Sequence, residues 1–227
     1  MNRVESVLDR IRVTNVLISV SDKHELEHLV PGLLEMDAVA LYSTGGTYDH
    51  IRSMLSADDQ HRLRKVSDYT GQPEMQGGLV KTLDYRIYLG LLSEPFNEAH
   101  AADRERAGAK LIDMVVVNLY PFRSVARRRG ADLEDARGNI DIGGPCMLRA
   151  AAKNFVRVAA VCDPADYTGI VEELRSCDGG LSLSTRFRLA QKAFGHTAQY
   201  DRAIADYLSD TSFEIVSSTY RYESQAE

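Results

Sequence analysis

The sequence predicts an α/β protein, a parallel sheet flanked by helices. Three observations predict it. Short apolar runs rich in β-branched residues recur at 15–20, 38–42, 112–117 and 156–161. Helix-forming stretches lie between them, and turns rich in glycine and hydroxyl residues stand where the strand candidates end. Repeated strand–turn–helix units of this kind give parallel sheets whose ligands gather beyond the carboxyl ends of the strands. The turns after those strands are therefore where chemistry is expected.

Taken in order, residues 15–20 read as a strand and 24–34 as an amphipathic helix, joined by Ser21-Asp22-Lys23. Ser21 and Asp22 are good helix caps. Lys23 is out of place in a first turn unless an anion sits nearby. The strand at 38–42 runs into Ser43-Thr44-Gly45-Gly46-Thr47, with a helical stretch at 48–55 behind it. Glycines let the backbone curl until several N–H groups point at one spot, hydroxyls add donors, and the helix dipole faces the same place. This is the layout of a phosphate cradle, and the rest of the chain is organised around it.

Residues 65–67 read as a short strand and 69–78 as a loop, too rich in turn residues for a regular element. Lys81 and Thr82 follow the Gly77-Gly78 pair, and a long glycine-rich loop in a compact domain points to function. The stretch 94–110 is a solvent-facing helix with no assigned chemistry. The buried strand at 112–117 ends in Asn118-Leu119-Tyr120-Pro121-Phe122, which puts Asn118 and Tyr120 at a carboxyl end. Residues 123–129 form a short basic patch, read as a solvated loop, and 132–138 a short helix.

Asn139-Ile140-Asp141-Ile142-Gly143-Gly144-Pro145 then precedes a strongly helical run at 146–154. Proline near the first turn makes a second helix N-terminus with free N–H groups. Asp141 caps it, and Arg149 and Lys153, four apart, share its face. A strand at 156–161, a helix at 164–175 opened by Asp163 and a long helix at 184–208 complete the pattern. The apolar stripe of that last helix seeks a partner surface, and His196 on it reads as structural.

The totals bound the function. At 227 residues and 44% hydrophobic content the chain has enough for a real core. It divides into an extension at 1–14, a domain at 15–208 and a polar tail at 209–227. A net charge of -6 argues against a general nucleic-acid or membrane-surface binder. The cysteines, Cys146, Cys162 and Cys177, have neither disulfide nor metal spacing. No run approaches a membrane span and residues 1–12 are too charged for a signal peptide, so a reduced, cytoplasmic protein is expected.

Five stretches in one order carry a resemblance: Ile18-Ser19-Val20-Ser21-Asp22-Lys23, Ser43-Thr44-Gly45-Gly46-Thr47, Val80-Lys81-Thr82-Leu83, Asn118-Leu119-Tyr120-Pro121-Phe122, and Asn139 through Asn154. Together they resemble the inosine monophosphate (IMP) cyclohydrolase domain of the bifunctional purine-biosynthesis enzyme, with the similarity running on through Lys192-Ala193-Phe194-Gly195-His196-Thr197-Ala198-Gln199-Tyr200-Asp201. The resemblance implies a methylglyoxal-synthase-like fold with added C-terminal helices. It implies dehydrative closure of 5-formamidoimidazole-4-carboxamide ribonucleotide to IMP, needing no metal or other cofactor. With the apolar stripe of the last helix it also implies a homodimer; the family's transformylase occupies a further, larger C-terminal part, so either a separate transformylase supplies the substrate or the sequence is a piece of a longer chain.

Carried over by resemblance, Ser21, Asp22, Lys23 and Ser43, Thr44, Gly45, Gly46, Thr47 match the nucleotide and phosphate contacts. Lys81 and Thr82 match the reactive-loop pair, and Lys153 the proton-transfer lysine. Asn118, Tyr120, Asp141, Ile142, Gly143 and Gly144 match the base-binding and oxyanion side. Lys153, Asp141 and Tyr120 are then expected to manage the amide proton, with Lys81 and the helix N-terminus holding negative charge. The chain departs from the family where an arginine, a His-Pro pair and a histidine are replaced by Leu79, Asp84-Tyr85 and Tyr88. Arg86 and Arg149 are candidates to restore the lost charge, and a substrate analogue stays open. Two rival readings share the core: a lyase acting on dihydroxyacetone phosphate, and a non-catalytic nucleotide-sensing module.

Overall fold

Apolar, β-branched runs form the strands of the computed structural model, which describes residues 3–73 and 81–222. Strands β2 (Asn15–Ile18), β3 (Ala40–Ser43), β4 (Leu63–Lys65), β5 (Met114–Val116) and β6 (Ala159–Val161) make a five-stranded sheet in the order β4-β3-β2-β5-β6. Every pair is parallel; Val16 stands between Leu41 and Met114, and Val115 faces Ala160. The chain winds outward from β2 in one direction and from β5 in the other. A crevice at the carboxyl ends of β2 and β5 is the topological consequence.

Alternation along the strands divides the core into two layers. Val16, Ile18, Leu41, Met114, Val116 and Val161 pack with helices α1 (Leu26–Leu34) and α9 (Tyr167–Ser176). Leu17, Tyr42, Val115 and Ala160 face the other way, toward α4 (Tyr85–Leu92), α8 (Gly143–Lys153) and the long α10 (Leu183–Asp210). Helices α2 (Gly45–Met54), α3 (Val66–Thr70), α5 (Glu98–Arg106), α6 (Phe122–Ala126) and α7 (Leu133–Gly138) complete the connections, α5 burying no residue, as its polar composition requires. The methylglyoxal-synthase-like arrangement that the resemblance implies is this one, C-terminal helices included.

Two buried arginines tie the layers together. Arg157 pairs with Asp113 at 3.1 Å and donates to the carbonyls of Ser93 and Ile112, each at 3.1 Å, while Asp113 accepts from the Thr14 and Asn15 amides. Arg186, fully buried, donates to the carbonyls of Leu8, Asp9, Phe155, Val156 and Leu181. Removing either cation would strand several buried acceptors at about 1–3 kcal/mol each.

Four local expectations differ from the structure, the first being the loop read at 123–129, whose residues 123–126 lie in α6 (Phe122–Ala126). The strand placed at 65–67 ends at Lys65, and Val66 instead opens α3, whose Tyr69 ring packs edge-on to Tyr42 at 5.2 Å and which stops at Gly71, φ +74°. The 1–14 segment contributes β1 (Arg10–Arg12), antiparallel to β7 (Gly180–Ser182), a pairing that three-residue strands do not announce in sequence. The 209–227 stretch carries α11 (Phe213–Thr219), capped by Ser212 and joined to α7 through the Tyr220 hydroxyl, which donates to Glu134 at 2.6 Å. Residues 74–80, including Leu79 and half of the loop read at 69–78, lie outside the described residues, and the described half begins in α3.

Candidate active site

The crevice at the ends of β2, β3 and β5 opens into a cavity of about 410 Å³. Two helices start there. Helix α2 begins at Gly45 with φ +46°, a conformation natural to glycine. The Thr47 and Tyr48 amides turn back to the Thr44 carbonyl, so the amides of Gly45 and Gly46 are the first-turn donors left for a ligand. Ser19 and Thr44 hydroxyls lie 3.1 Å apart beside them. Lys81 closes the same corner, for a Cβ placed on Gly45 would stand 2.8 Å from its Nζ. Lys23 reaches the cavity from the β2–α1 turn, its Nζ 3.4 Å from the Ser21 carbonyl. Lys23, expected in a first turn, precedes α1, which starts at Leu26, and it shares the cavity lining with Lys81.

Helix α8 begins on the far side at Gly143-Gly144. Asp141 Oδ1 accepts from the Gly144 amide at 2.9 Å, and a Cβ on Gly144 would meet Oδ2 at 2.6 Å. Thr82 is packed as tightly on Gly143, its Oγ1 2.8 Å from where a Cβ would stand. Burial raises the Asp141 pKa above the ordinary carboxylate value, partly offset by the Gly144 and Tyr120 backbone donors. Tyr120, about half exposed, lines the cavity beside it. The arrangement offers donors and cations at one end and, at the other, a carboxylate held partly out of water beside a helix N-terminus.

Of the residues singled out in the sequence, Ser21, Lys23, Thr44, Gly45, Gly46, Thr47, Lys81, Thr82, Asn118, Tyr120, Asp141, Ile142, Gly143 and Gly144 line this cavity. Three do not. Ser43 is fully buried because it continues β3, and its hydroxyl donates to the Ile18 carbonyl at 2.8 Å. Asp22 points away and caps the turn by accepting from the His24 amide at 3.0 Å. Lys153 is exposed at the last residue of α8, about 15 Å along the axis from Gly143 at 1.5 Å per residue. Sharing a helix face with Asp141 does not bring it to the same end.

Two lining residues act differently from the expectation. Asn118 accepts from the Ser21 and Asp22 amides at 2.7 and 2.9 Å and donates to the Asp22 carbonyl at 2.6 Å, so its side chain holds the β2–α1 turn and keeps one N–H for a ligand. The Thr47 hydroxyl is spent on the Val20 backbone, donating to the carbonyl at 2.9 Å and accepting from the amide at 3.2 Å. The sequence reading missed Ser19, Val20, Leu83, Gly138, Ile140 and Met147, which complete the wall.

Of the positions that depart from the family pattern, Asp84, Tyr85 and Tyr88 lie off this wall, and Leu79 lies outside the described residues. Asp84 is buried as the cap of α4, accepting from the Arg86 amide at 2.8 Å. The Tyr88 hydroxyl is buried near Cys146, and burial raises its pKa. Arg86 is engaged with the Tyr69 and Thr70 carbonyls, and Arg149 lies over the Phe194 ring at 5.5 Å; neither lines the cavity. His196, half-buried with its pKa lowered by burial, borders a separate hollow of about 340 Å³. Among the described residues no cluster has the make-up of a metal site and no helix is long and apolar enough to cross a membrane.

Comparison with known proteins places the chain in a family. Residues 25–146 match the family model of the MGS-like domain, and residues 151–227 that of the AICARFT/IMPCHase bienzyme. The chain is 45% identical over 205 residues to the bifunctional purine biosynthesis protein PurH of Neisseria gonorrhoeae, covering 90% of this chain and 38% of that protein. PurH of Acidithiobacillus ferrooxidans is 44% identical over 197 residues, with 87% and 37% covered. The chain thus spans under two fifths of the length of these curated relatives. The crystal structure of ForH superposes with a TM-score of 0.70 at 32% identity, covering 86% of this chain and 99% of that one.

Proposed function

The chain belongs to the MGS-like domain family and corresponds to the cyclohydrolase-like part of PurH, and from that premise we propose that it is an IMP cyclohydrolase. The observation that carries the reading is the pair of helix starts on one cavity, α2 with two lysines and α8 with a buried carboxylate. A ribonucleotide's permanent dianion suits the first; a ring that must lose protons as it closes suits the second.

In this reaction the carboxamide nitrogen attacks the formyl carbon, whose oxygen takes up the charge and then a proton. The resulting hydroxyl leaves as water, carrying one proton from each of the two ring-forming nitrogens, and a C=N bond forms in the product. Neither oxidant nor reductant is consumed. The cavity's part is to press the two substituents together and to answer the charge that moves. The 5′-phosphate sits on the Gly45 and Gly46 amides, with Lys23 and Lys81 as counter-charges. Asp141, its basicity raised by burial, takes the amide proton with Tyr120 beside it. The α8 amides and the Thr82 hydroxyl face the developing oxyanion. Lys153 is outside this scheme, since it sits at the other end of α8.

Three further expectations accompany the reading: cytoplasmic location, from cysteine usage; a homodimer, from the family resemblance and the apolar stripe of the long helix; and a separate transformylase supplying the substrate, from the resemblance. The test is incubation with the formamido ribonucleotide and, separately, with dihydroxyacetone phosphate, following ultraviolet absorbance and methylglyoxal. Absorbance change with the ribonucleotide alone is expected. Methylglyoxal formation would mark a lyase, and silence with both a sensing module.

A further inference from the structure

Between α7 and α8 the backbone at 139–142 belongs to no sheet and no helix, yet it carries the carboxylate that the proposed chemistry depends on. One side chain holds it from outside. The Tyr200 hydroxyl accepts from the Asp141 amide at 2.8 Å and donates to the Asn139 carbonyl at 3.1 Å. Tyr200 comes from α10, 59 residues further along the chain. Its ring is buried against Phe122 at 6.3 Å between centroids, and its helix packs on α8 and β6.

Packing alone would be met by phenylalanine. The hydroxyl is spent on two backbone groups two residues apart, which fixes the turn's direction as well as its position. With that turn set, Oδ1 of Asp141 meets the Gly144 amide and the carboxylate is kept in the partly dry wall of the cavity. We propose that Tyr200 is a positioning residue that aims the Asp141 carboxylate at the substrate, so that the C-terminal long helix takes part in catalysis without lining the cavity. The proposal rests on the cyclohydrolase reading for its effect on turnover, and on geometry alone for its effect on Asp141.

Tyr200→Phe keeps the ring and removes both bonds. Turnover should fall about tenfold to a hundredfold, the usual size of a small misplacement of a reacting group. KM and IMP affinity should stay within about twofold, because the phosphate end is held elsewhere. In an Asp141→Asn background the same change should cost nothing further, since a group that acts through another has no effect once that other is gone. The Asp141 carboxyl, followed by carbon NMR titration, should move from its raised value down toward the ordinary carboxylate range as the loosened turn admits water. Wild-type turnover and titration in Tyr200→Phe, or a full additive loss on Asp141→Asn, would overturn the proposal. If the unmodified protein turns over no formamido ribonucleotide, the functional reading fails, and the titration still decides the role of Tyr200.

Discussion

Helices α2 and α8 both begin on a glycine pair at the rim of the same cavity, and the groups set beside them differ in sign. At Gly45-Gly46 the neighbours are the Ser19 and Thr44 hydroxyls and the Lys81 ammonium. At Gly143-Gly144 they are the Asp141 carboxylate and the Thr82 hydroxyl. The same backbone device therefore serves two purposes. A helix start surrounded by cations and donors suits an anion that keeps its charge. One that already holds a buried carboxylate gains a group whose proton affinity is poised by opposing effects, with burial raising it and amide donors lowering it.

The largest test of that contrast is Asp141→Asn. Removing the proposed general base should lower turnover by about a hundredfold or more while IMP still binds, as steady-state rates and calorimetry would show; parallel loss of affinity would erase the distinction between the two ends. Lys81→Ala should act at the other end. Loss of a charge-assisted bond of about 1.5–3 kcal/mol predicts a rise in KM of about tenfold to a hundredfold with a smaller change in turnover. A loss confined to turnover would return Lys81 to the oxyanion role that the family resemblance implies.

Gly45→Ala sharpens the same point. It places a Cβ at φ +46° and 2.8 Å from the Lys81 Nζ, and strain of about 1–2 kcal/mol predicts close to tenfold weaker nucleotide binding. The pH profile should show a rate that falls toward acid as Asp141 takes up its proton, with a midpoint above that of an unperturbed carboxyl. Because that pKa is raised in the folded state, the stability linked to protonation is present at low pH and lost as pH rises through the folded value. Asp141→Asn is accordingly expected to leave thermal stability unchanged or slightly higher at neutral pH. Smallest of all, Ser43→Ala should cost about 1 kcal/mol of stability by freeing the Ile18 carbonyl, with nucleotide affinity little altered.

Strand composition and helix periodicity made the sheet, its flanking helices and both glycine-pair helix starts legible in the sequence, because each is encoded within about fifteen consecutive residues. What escaped depends on distances that periodicity does not measure. Ser43 looked like part of the cradle, yet the strand's alternation carries one residue further and turns its hydroxyl inward. Lys153 and Asp141 share a face of one helix pattern, but three turns of rise separate the two. Asn118 was visible at a strand end, while its partners, the Ser21 and Asp22 backbone, lie nearly a hundred residues earlier. Strands β1 and β7 are three residues each and have no pattern to read before they meet.

The division of labour between the two helix starts is tested most directly by a crystal structure with IMP bound. The account predicts the 5′-phosphate on the Gly45 and Gly46 amides with Lys23 and Lys81 around it, and the purine edge between Tyr120 and Asp141 at the start of α8. A phosphate seated on Gly143-Gly144, or a purine lying away from Asp141, would contradict it.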